Sequence, residues 1–342
     1  MNSWIPKGPR PYTHSVATTW IISFNEIRKN NSTVAHFFQL LAFFNPDGIL
    51  IEFLKSGTEG MDNDLERLIF DEFEISEALS SLEMFSLIKW VRQNSKIVIH
   101  RLVQAVVKDE MSEMDLTTFY ALVVDICNRA FPREWDKSRA LRRLYIGQVI
   151  GQLVDPDASE TLESANVMHR VGWFVREDGK TIDSERILLR SWGIFRRILG
   201  EEHPDTLASM SDLAIIYRVQ GRTGEAAALQ EEVLQKRRRI LGEEHPDTLR
   251  SMNNLANTYS DQGRTAEAAA LHEEVLQKQR RILGEEHPDT LTSMANLALT
   301  YRDRGKTAES AALQDSLRKR RRILGDEHPH TLPSMVNEDD QA

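Results

Sequence analysis

The chain has 342 residues, of which 41% are hydrophobic and 28% charged, an ordinary composition for a folded globular protein. Its formal net charge of −9 disfavours general nucleic-acid binding, because that binding depends on a surplus of Lys and Arg. The single cysteine, Cys127, excludes an intrachain disulfide and favours a reducing compartment. The sequence has no run of about 18 uncharged apolar residues, the length needed to span a membrane. We therefore expect a cytoplasmic protein with no membrane partner, and the net charge predicts no nucleic-acid partner.

The first part of the chain predicts several helices. Residues 1–13 contain three prolines, which indicate a flexible N-terminal arm. Apolar residues then recur every three to four positions from Thr18 or Thr19 and again from Ser32, and the turn sequence Asn45-Pro46-Asp47-Gly48 ends the second helix. The same period predicts three more helices, over Ile49–Leu54, Leu65–Phe73 and Ile75–Phe85.

A two-stranded hairpin follows these helices. Apolar residues alternate in Leu87–Val91 and Ile97–His100, on either side of a polar turn, and a helical pattern resumes at Arg101. Helices followed by a hairpin outline a winged-helix-like domain over residues 14–111. DNA reading is the usual function of that fold, yet residues 1–111 hold 11 Lys and Arg against 14 Asp and Glu. A winged-helix DNA-binding regulator therefore remains an alternative that the charge does not favour.

The same segment resembles a known family. The stretches His14–Trp20, Leu41–Phe44, Phe85–Ile88 and His100–Gln104 are similar to the winged-helix segment of NB-ARC proteins that carry C-terminal tetratricopeptide repeats and are common in fungi. The resemblance implies a nucleotide-dependent switch module. It also implies that His100, at the end of the wing, belongs to a sensor that contacts bound ADP.

A switch of that kind requires a phosphate-binding loop, Gly-x-x-x-x-Gly-Lys-Ser/Thr, whose backbone amides hold the phosphates. The sequence contains no such loop. Gly179-Lys180-Thr181 and Gly305-Lys306-Thr307 lack the earlier glycine, and both align with a helix–helix turn of the repeats described next. We therefore expect this chain to bind no cofactor, and to act with ADP or ATP only if an upstream nucleotide-binding domain is supplied.

From residue 159 to residue 335 the chain repeats itself, after a helical bridge predicted over residues 112–158. The phrase R-I-L-G-E-E-H-P-D-T-L occurs three times at intervals of 42 residues and once more in a degraded form. A fixed period of this length is typical of an α-solenoid built from helix pairs, and the phrase, period and Tyr/Gly spacing most resemble the tetratricopeptide repeats of kinesin light chains. The copies are Arg197–Leu207, Arg239–Leu249, Arg281–Leu291 and Arg322–Leu332.

These patterns predict a mainly α protein. The winged-helix-like domain is followed by about four repeats, the last one incomplete, and by an acidic tail at residues 336–342. The incomplete last repeat would leave apolar surface open, which suggests self-association through the uncapped end of the array.

The phrase itself suggests helix termination and capping. Gly200, Gly242 and Gly284 follow the last apolar residue of a helix, where a left-handed glycine ends a helix without strain. His-Pro-Asp-Thr would then start the next helix, with Pro in the first turn and Asp and Thr as caps. Because capping accounts for the acidic residues and the histidine, we predict no metal site.

A comparison of two copies indicates where a partner would bind. Residues 203–241 and 245–283 differ at ten of 39 aligned positions, and seven of the ten lie in helix A, the first helix of the pair. Helix A lines the groove of tetratricopeptide arrays, so a groove diversified for ligand reading is favoured over recent duplication with chance clustering. The groove candidates are Arg218, Arg250, Asn253, Asn254, Asn257, Asn296 and Arg302.

The chemistry of these candidates predicts a protein or peptide ligand. Asparagine offers both a donor and an acceptor to the backbone of an extended peptide, and the arginines would favour carboxylates or phosphates. No catalytic residues are predicted, so the favoured function is a non-enzymatic interaction protein. The main alternative is the C-terminal sensor portion of an NB-ARC-type receptor in innate-immunity or heterokaryon-incompatibility-like signalling.

Overall fold

The computed structural model describes residues 16–132, 139–154 and 160–324, and the chain divides into two compact units between Asp178 and Gly179. The predicted arm at residues 1–13, residues 325–332 of the degraded fourth phrase and the acidic tail lie outside the described residues. Within the described ranges, no helix combines the length and the apolar character needed to cross a bilayer.

The first unit is mainly helical, and polar side chains start several of its helices. Asn31, Asn63, Asp71 and Ser112 each accept a backbone N–H group at the beginning of a helix, which satisfies a donor that the helix itself leaves free. The described helices of this unit are α1 (Val16–Asn30), α2 (Ser32–Leu41), α3 (Ile51–Thr58), α4 (Asp64–Phe70), α5 (Glu72–Met84), α6 (Arg101–Asp109), α7 (Glu113–Ala130), α8 (Arg139–Val154) and α9 (Leu162–Glu177).

A three-stranded antiparallel sheet joins these helices. The predicted hairpin is present as β2 (Lys89–Val91) and β3 (Lys96–Val98), and β1 (Ile49–Leu50) pairs with the other side of β3. The helix predicted from Ile49 is therefore wrong for its first two residues, and α3 begins only at Ile51. A short apolar run does not distinguish a strand from a helix, and here pairing with β3 decides for the strand.

The core of this unit brings α7 against α3. Gly57 on α3 allows this close approach, since a Cβ atom at that position would lie 2.4 Å from Cγ2 of Ile126. Beside Ile126, the thiol of Cys127 is fully buried, and this burial raises its pKa. The first half of the predicted bridge, residues 112–158, thus packs within the first unit.

The second unit alternates two kinds of helix, as the repeat pattern predicts. Helix A of one repeat runs from Pro204 to Val219, the chain turns at Gly221, and helix B begins at Thr223. Small clusters of apolar residues, such as Leu207, Met210 and Val233, fill the space between successive helices. The A helices are α11 (Pro204–Val219), α13 (Pro246–Asp261) and α15 (Pro288–Asp303), and the B helices are α10 (Thr181–Leu199), α12 (Thr223–Leu241), α14 (Thr265–Leu283) and α16 (Thr307–Leu324).

The glycines of the phrase end the B helices, but not in the predicted left-handed helical conformation. Gly242 has φ of 89° and ψ of 170°, and Gly200 and Gly284 have nearly the same angles. This region of backbone space is essentially open to glycine alone. The glycine prediction is therefore correct in residue type and in the sign of φ, while the value of ψ differs.

Candidate partner-binding face

Histidine caps each A helix. Nδ1 of His203, His245 and His287 accepts the backbone N–H of the aspartate two residues later, at 3.2 Å in each copy, and proline occupies the first turn. The prediction that Asp and Thr supply the caps was wrong in this respect. The imidazole is pre-positioned by the same short turn that serves Asn or Asp at such sites.

The glutamates of the first two phrases bind basic residues of the next repeat. Glu202 is hydrogen-bonded to Arg239, and Glu244 is bonded in the same way to Arg281, the first residue of the following copy of the phrase. The preceding glutamate adds a second ion pair, as between Glu243 and Lys278 at 3.2 Å. The acidic and basic parts of the phrase therefore join successive repeats.

Helix B differs between the two copies mainly at buried positions. Gln230 and Arg237 on α12 become His272 and Gln279 on α14, and each of these four side chains is less than a tenth exposed. The third difference, Gly224 against Ala266, lies at an exposed position in the first turn. The other exposed positions of helix B between 225 and 240 are identical in the two copies.

The buried B-helix residues contact the variable residues of helix A. Thr258 donates a hydrogen bond of 2.6 Å to Gln230, and Nδ1 of His272 lies 3.1 Å from Oδ1 of Asn253. Burial lowers the pKa of His272 to about 4, so the ring is neutral and its Nδ1 donates to the amide oxygen. Part of the variation in helix A therefore follows from packing between helices.

This packing includes two of the predicted groove residues. The amide nitrogen of Asn253 donates to Ser293 on α15 at 2.9 Å, and that of Asn254 lies 3.5 Å from the hydroxyl of Ser211 on α11. Both asparagines are half-buried. Their amides thus link one A helix to the next.

The three predicted arginines lie beside aspartates. Arg218 donates to Asp261 at 2.8 Å across to the next A helix, and Arg250 is hydrogen-bonded to Asp247 on its own helix. The guanidinium of Arg302 lies 3.6 Å from the carboxylate of Asp303. Each of these arginines has a carboxylate neighbour, so its charge is already partly neutralised. The expected preference of the arginines for anionic groups of a ligand is weakened accordingly.

Asn257 and Asn296 differ from the other asparagines. Their side chains are half-buried, and the amides have no hydrogen-bond partner among the residues that the structure describes. Both lie on the stripe of each A helix that faces away from the buried side. We call this stripe, taken over the three A helices, the A-helix face, and it comprises Ala208, Asp212, Ile215, Val219, Arg250, Asn254, Asn257, Asp261, Thr292, Asn296, Leu299 and Asp303.

The A-helix face also contains apolar residues that the sequence reasoning missed. Val219 is 51% exposed and Leu299 is 40% exposed, and Ile215 occupies in α11 the position that Asn257 occupies in α13. Position 215 had been identified as variable, but only its polar counterpart was chosen as a candidate. The face therefore offers amide groups and apolar side chains side by side.

His100, the residue that the NB-ARC resemblance assigns to a nucleotide sensor, begins α6. Its Nδ1 accepts the backbone N–H of Leu102 at 3.2 Å, which is the capping arrangement of the repeat histidines. The side chain is exposed, and its ring centroid lies 6.0 Å from that of Trp20. His100 is thus a surface cap and not part of the core.

Comparison with known families supports the repeat assignment. Two family models match this chain, described as "Tetratricopeptide repeat" and as "Domain of unknown function (DUF7779)", the second over residues 25–116. The tetratricopeptide model matches four consecutive segments, at residues 164–205, 206–247, 248–289 and 290–330.

A protein with a related sequence is much longer than this chain. A nucleotide-binding leucine-rich repeat (NLR)-like protein of Hyaloscypha variabilis is 32% identical over 199 residues, which are 57% of this chain and 19% of that protein. The chain therefore spans about a fifth of the length of this relative.

Solved structures that match the chain in part include a repeat protein and a repeat-containing ATPase. The crystal structure of a putative kinesin light chain with nearly identical repeats from Podosopora anserina is 29% identical, with a TM-score of 0.46 over 54% of this chain and 93% of that one. A signal transduction ATPase (STAND protein) with a tetratricopeptide repeat sensor from Pyrococcus horikoshii is 14% identical, with a TM-score of 0.30 over 94% of this chain and 64% of that one. The family match at residues 164–330 agrees with the helix pairs described up to residue 324 and with their 42-residue period, so this part of the chain is a tetratricopeptide repeat region.

Proposed function

We propose that the protein is a non-enzymatic interaction protein whose A-helix face binds an extended peptide segment of a protein partner. One observation supports this most directly. All four positions of the A-helix face differ between α11 and α13, whereas the exposed positions of the paired B helices are identical except at Gly224 and Ala266. Contacts between helices explain the changes at buried positions and at Asn254, but not the change from Ile215 to Asn257.

The residues that would bind the peptide follow from their contacts. Asn257 and Asn296 would pair with the peptide backbone, since their amides are free within the described structure. Ile215 and Leu299 would contact apolar side chains of the peptide. Asn253 and Asn254 would instead hold the A helices in place, because their amides bond to neighbouring helices.

Peptides selected on the wild-type full chain from a random phage-displayed library provide the probe. We expect the Asn257→Ala/Asn296→Ala variant to bind the selected peptides at least about tenfold more weakly, through loss of two hydrogen-bonding sites. The matched control is Gln93→Ala/Asn94→Ala, which removes two exposed amides from the turn between β2 and β3. Unchanged affinity in the asparagine variant, or an equal loss in the control, would contradict the proposal.

A second candidate is the sensor portion of a nucleotide-switched receptor. Similarity to the NLR-like protein of Hyaloscypha variabilis supports it, as does a three-stranded sheet in the order β1-β3-β2, which suits a winged-helix-like domain. The exposed ring of His100 would be accessible to a nucleotide held by another domain. Calorimetric titration of ADP into the wild-type chain and into His100→Ala tests this candidate. An ADP affinity that depends on His100 favours it. If ADP does not bind, this chain by itself is not a nucleotide switch.

A further inference from the structure

A cleft opens between two B helices, on a surface separate from the A-helix face. It lies between α12 and α14, with a volume of about 710 Å³. Leu255 and Tyr259 of α13 and Leu271 of α14 line it, and Glu231 of α12 stands at its edge. The Tyr259 hydroxyl donates to Glu231 at 2.8 Å, which holds this carboxylate on the rim.

The preceding interval of the array carries an apolar side chain at the same place. Leu189 on α10 stands 42 residues before Glu231. Leu189, Tyr217 and Leu229 are all partly buried against the cluster that contains Leu213. Those three residues are the counterparts of Tyr259, Leu255 and Leu271. The two intervals thus share the tyrosine and two leucines, and they differ in having Leu189 or Glu231 beside them.

The charges at the rim of the cleft, apart from the Glu231 carboxylate, are paired within the protein. Arg238 lies 3.1 Å from Glu243, Arg239 is bonded to Glu202, and Glu267 accepts two hydrogen bonds from Arg264. A ligand would therefore find little unpaired charge there. The apolar floor of the cleft is therefore the surface that a ligand can recognise. Full burial of a leucine side chain is favourable by about 1.5–3 kcal/mol.

We propose that this cleft binds a leucine side chain presented by a peptide segment of a protein partner, in the place that Leu189 fills one repeat earlier. The residues that line the cleft recur at positions 42 higher, including Glu273, Leu297, Tyr301 and Leu313. The Tyr301 hydroxyl donates to Glu273 at 2.7 Å, as Tyr259 does to Glu231. A partner with two suitably spaced leucines could therefore occupy both places.

N-acetyl-leucinamide, observed through the methyl NMR signals of Leu255 and Leu271, is the probe, and N-acetyl-alaninamide is its control. In the wild-type full chain we expect saturable shifts with the leucine compound only. Glu231→Leu/Glu273→Leu copies the side chain of the preceding repeat and should weaken this binding about tenfold or more. Asn257→Ala/Asn296→Ala should leave it unchanged, so the cleft is tested independently of the A-helix face.

The reverse substitution, Leu189→Glu, should open a new site and bring shifts at Leu213 and Leu229. Well-dispersed amide spectra would verify that each variant folds. If Glu231→Leu/Glu273→Leu does not fold, the Leu189→Glu result decides. The proposal is overturned if the leucine compound gives no saturable shifts in the wild type, if the closed variant binds equally well, or if Leu189→Glu gains no site.

Discussion

Nδ1 of His272 lies 3.1 Å from Oδ1 of Asn253, so an imidazole from a B helix meets an amide from the A helix of the same repeat. The ring is fully buried, and no other hydrogen-bond partner reaches its Nε2 within the described structure. The preceding repeat places Gln230 at this position, where it accepts from Thr258. Two solutions to one packing problem thus stand next to each other in the same chain.

The His272–Asn253 contact predicts a pH dependence of stability. Burial lowers the pKa of His272 from its ordinary value of 6.5 to about 4. Between these two pH values the histidine is protonated in the unfolded chain and neutral in the folded chain. Stability should therefore fall as pH drops from about 6.5 towards 4, by at most about 1.4 kcal/mol per pH unit and about 3 kcal/mol in all. His272→Gln, which copies Gln230, should remove this contribution.

Urea unfolding of the wild type and of His272→Gln, measured at neutral pH and near pH 4.5, checks the prediction. Other groups contribute equally to both proteins, so the difference between them isolates the histidine. An identical pH dependence in the two proteins would show that the ring is not the source.

Two glycines of the same repeat should respond oppositely to alanine. Gly242→Ala should destabilise the protein by about 1–3 kcal/mol, because φ of 89° with ψ of 170° strains any residue with a Cβ atom. Gly224→Ala should stabilise it by about 0.5 kcal/mol, since Gly224 is in a helix and Ala266 occupies the equivalent place. A new Cβ meets no atom within 4 Å at either site, so thermal unfolding would report backbone strain alone.

Two arginines of one basic cluster should differ in their contribution to stability. Arg237 is 4% exposed and donates to Ser251 at 2.8 Å, so Arg237→Ala should cost about 2 kcal/mol through lost packing and hydrogen bonding. Arg239 is exposed, and Arg239→Ala should cost less than about 0.5 kcal/mol despite its bond to Glu202. Urea midpoints of both variants test the order, and a larger loss for Arg239→Ala would refute it.

The close approach of α3 and α7 should control the reactivity of the thiol of Cys127. In the wild type, burial and the raised pKa should make the reaction with a disulfide reagent slow until the protein unfolds. Gly57→Ala should accelerate it, because the new Cβ would lie 2.7 Å from the backbone oxygen of Ile126 and push the helices apart. Gly147→Ala is the control, as its Cβ would meet only ordinary contact at 3.5 Å.

The repeats could be predicted from sequence because one pattern recurs at a constant interval. The A-B turn at Gly221 and the start of helix B at Thr223 both follow from it. β1 could not be predicted in the same way, because Ile49 and Leu50 become a strand only through pairing with Ile97 and Lys96, far along the chain. Long-range pairing leaves no periodic signal in a run of two residues.

The candidate site was harder to predict than the fold. Asn253, Asn254 and Asn257 look alike in sequence, yet one bonds to α15, one to α11 and one has a free amide. Their roles depend on which neighbouring helix each side chain reaches, and this is set by packing. The burial of Gln230 and His272 could not be predicted from the sequence either, since polar residues on an amphipathic helix normally indicate its exposed side.

The pairing of Glu202 with Arg239 also governs how the array can change in length. Two joints between repeats are made by the same residue types at the same spacing, since Glu244 pairs with Arg281 as Glu202 does with Arg239. Excising the 42 residues from 208 to 249 would bring Arg281 to the position of Arg239, and Glu202 would meet an arginine as before. Unequal recombination between copies can thus lengthen or shorten the protein by whole units while the glutamate–arginine pair between the joined repeats is kept.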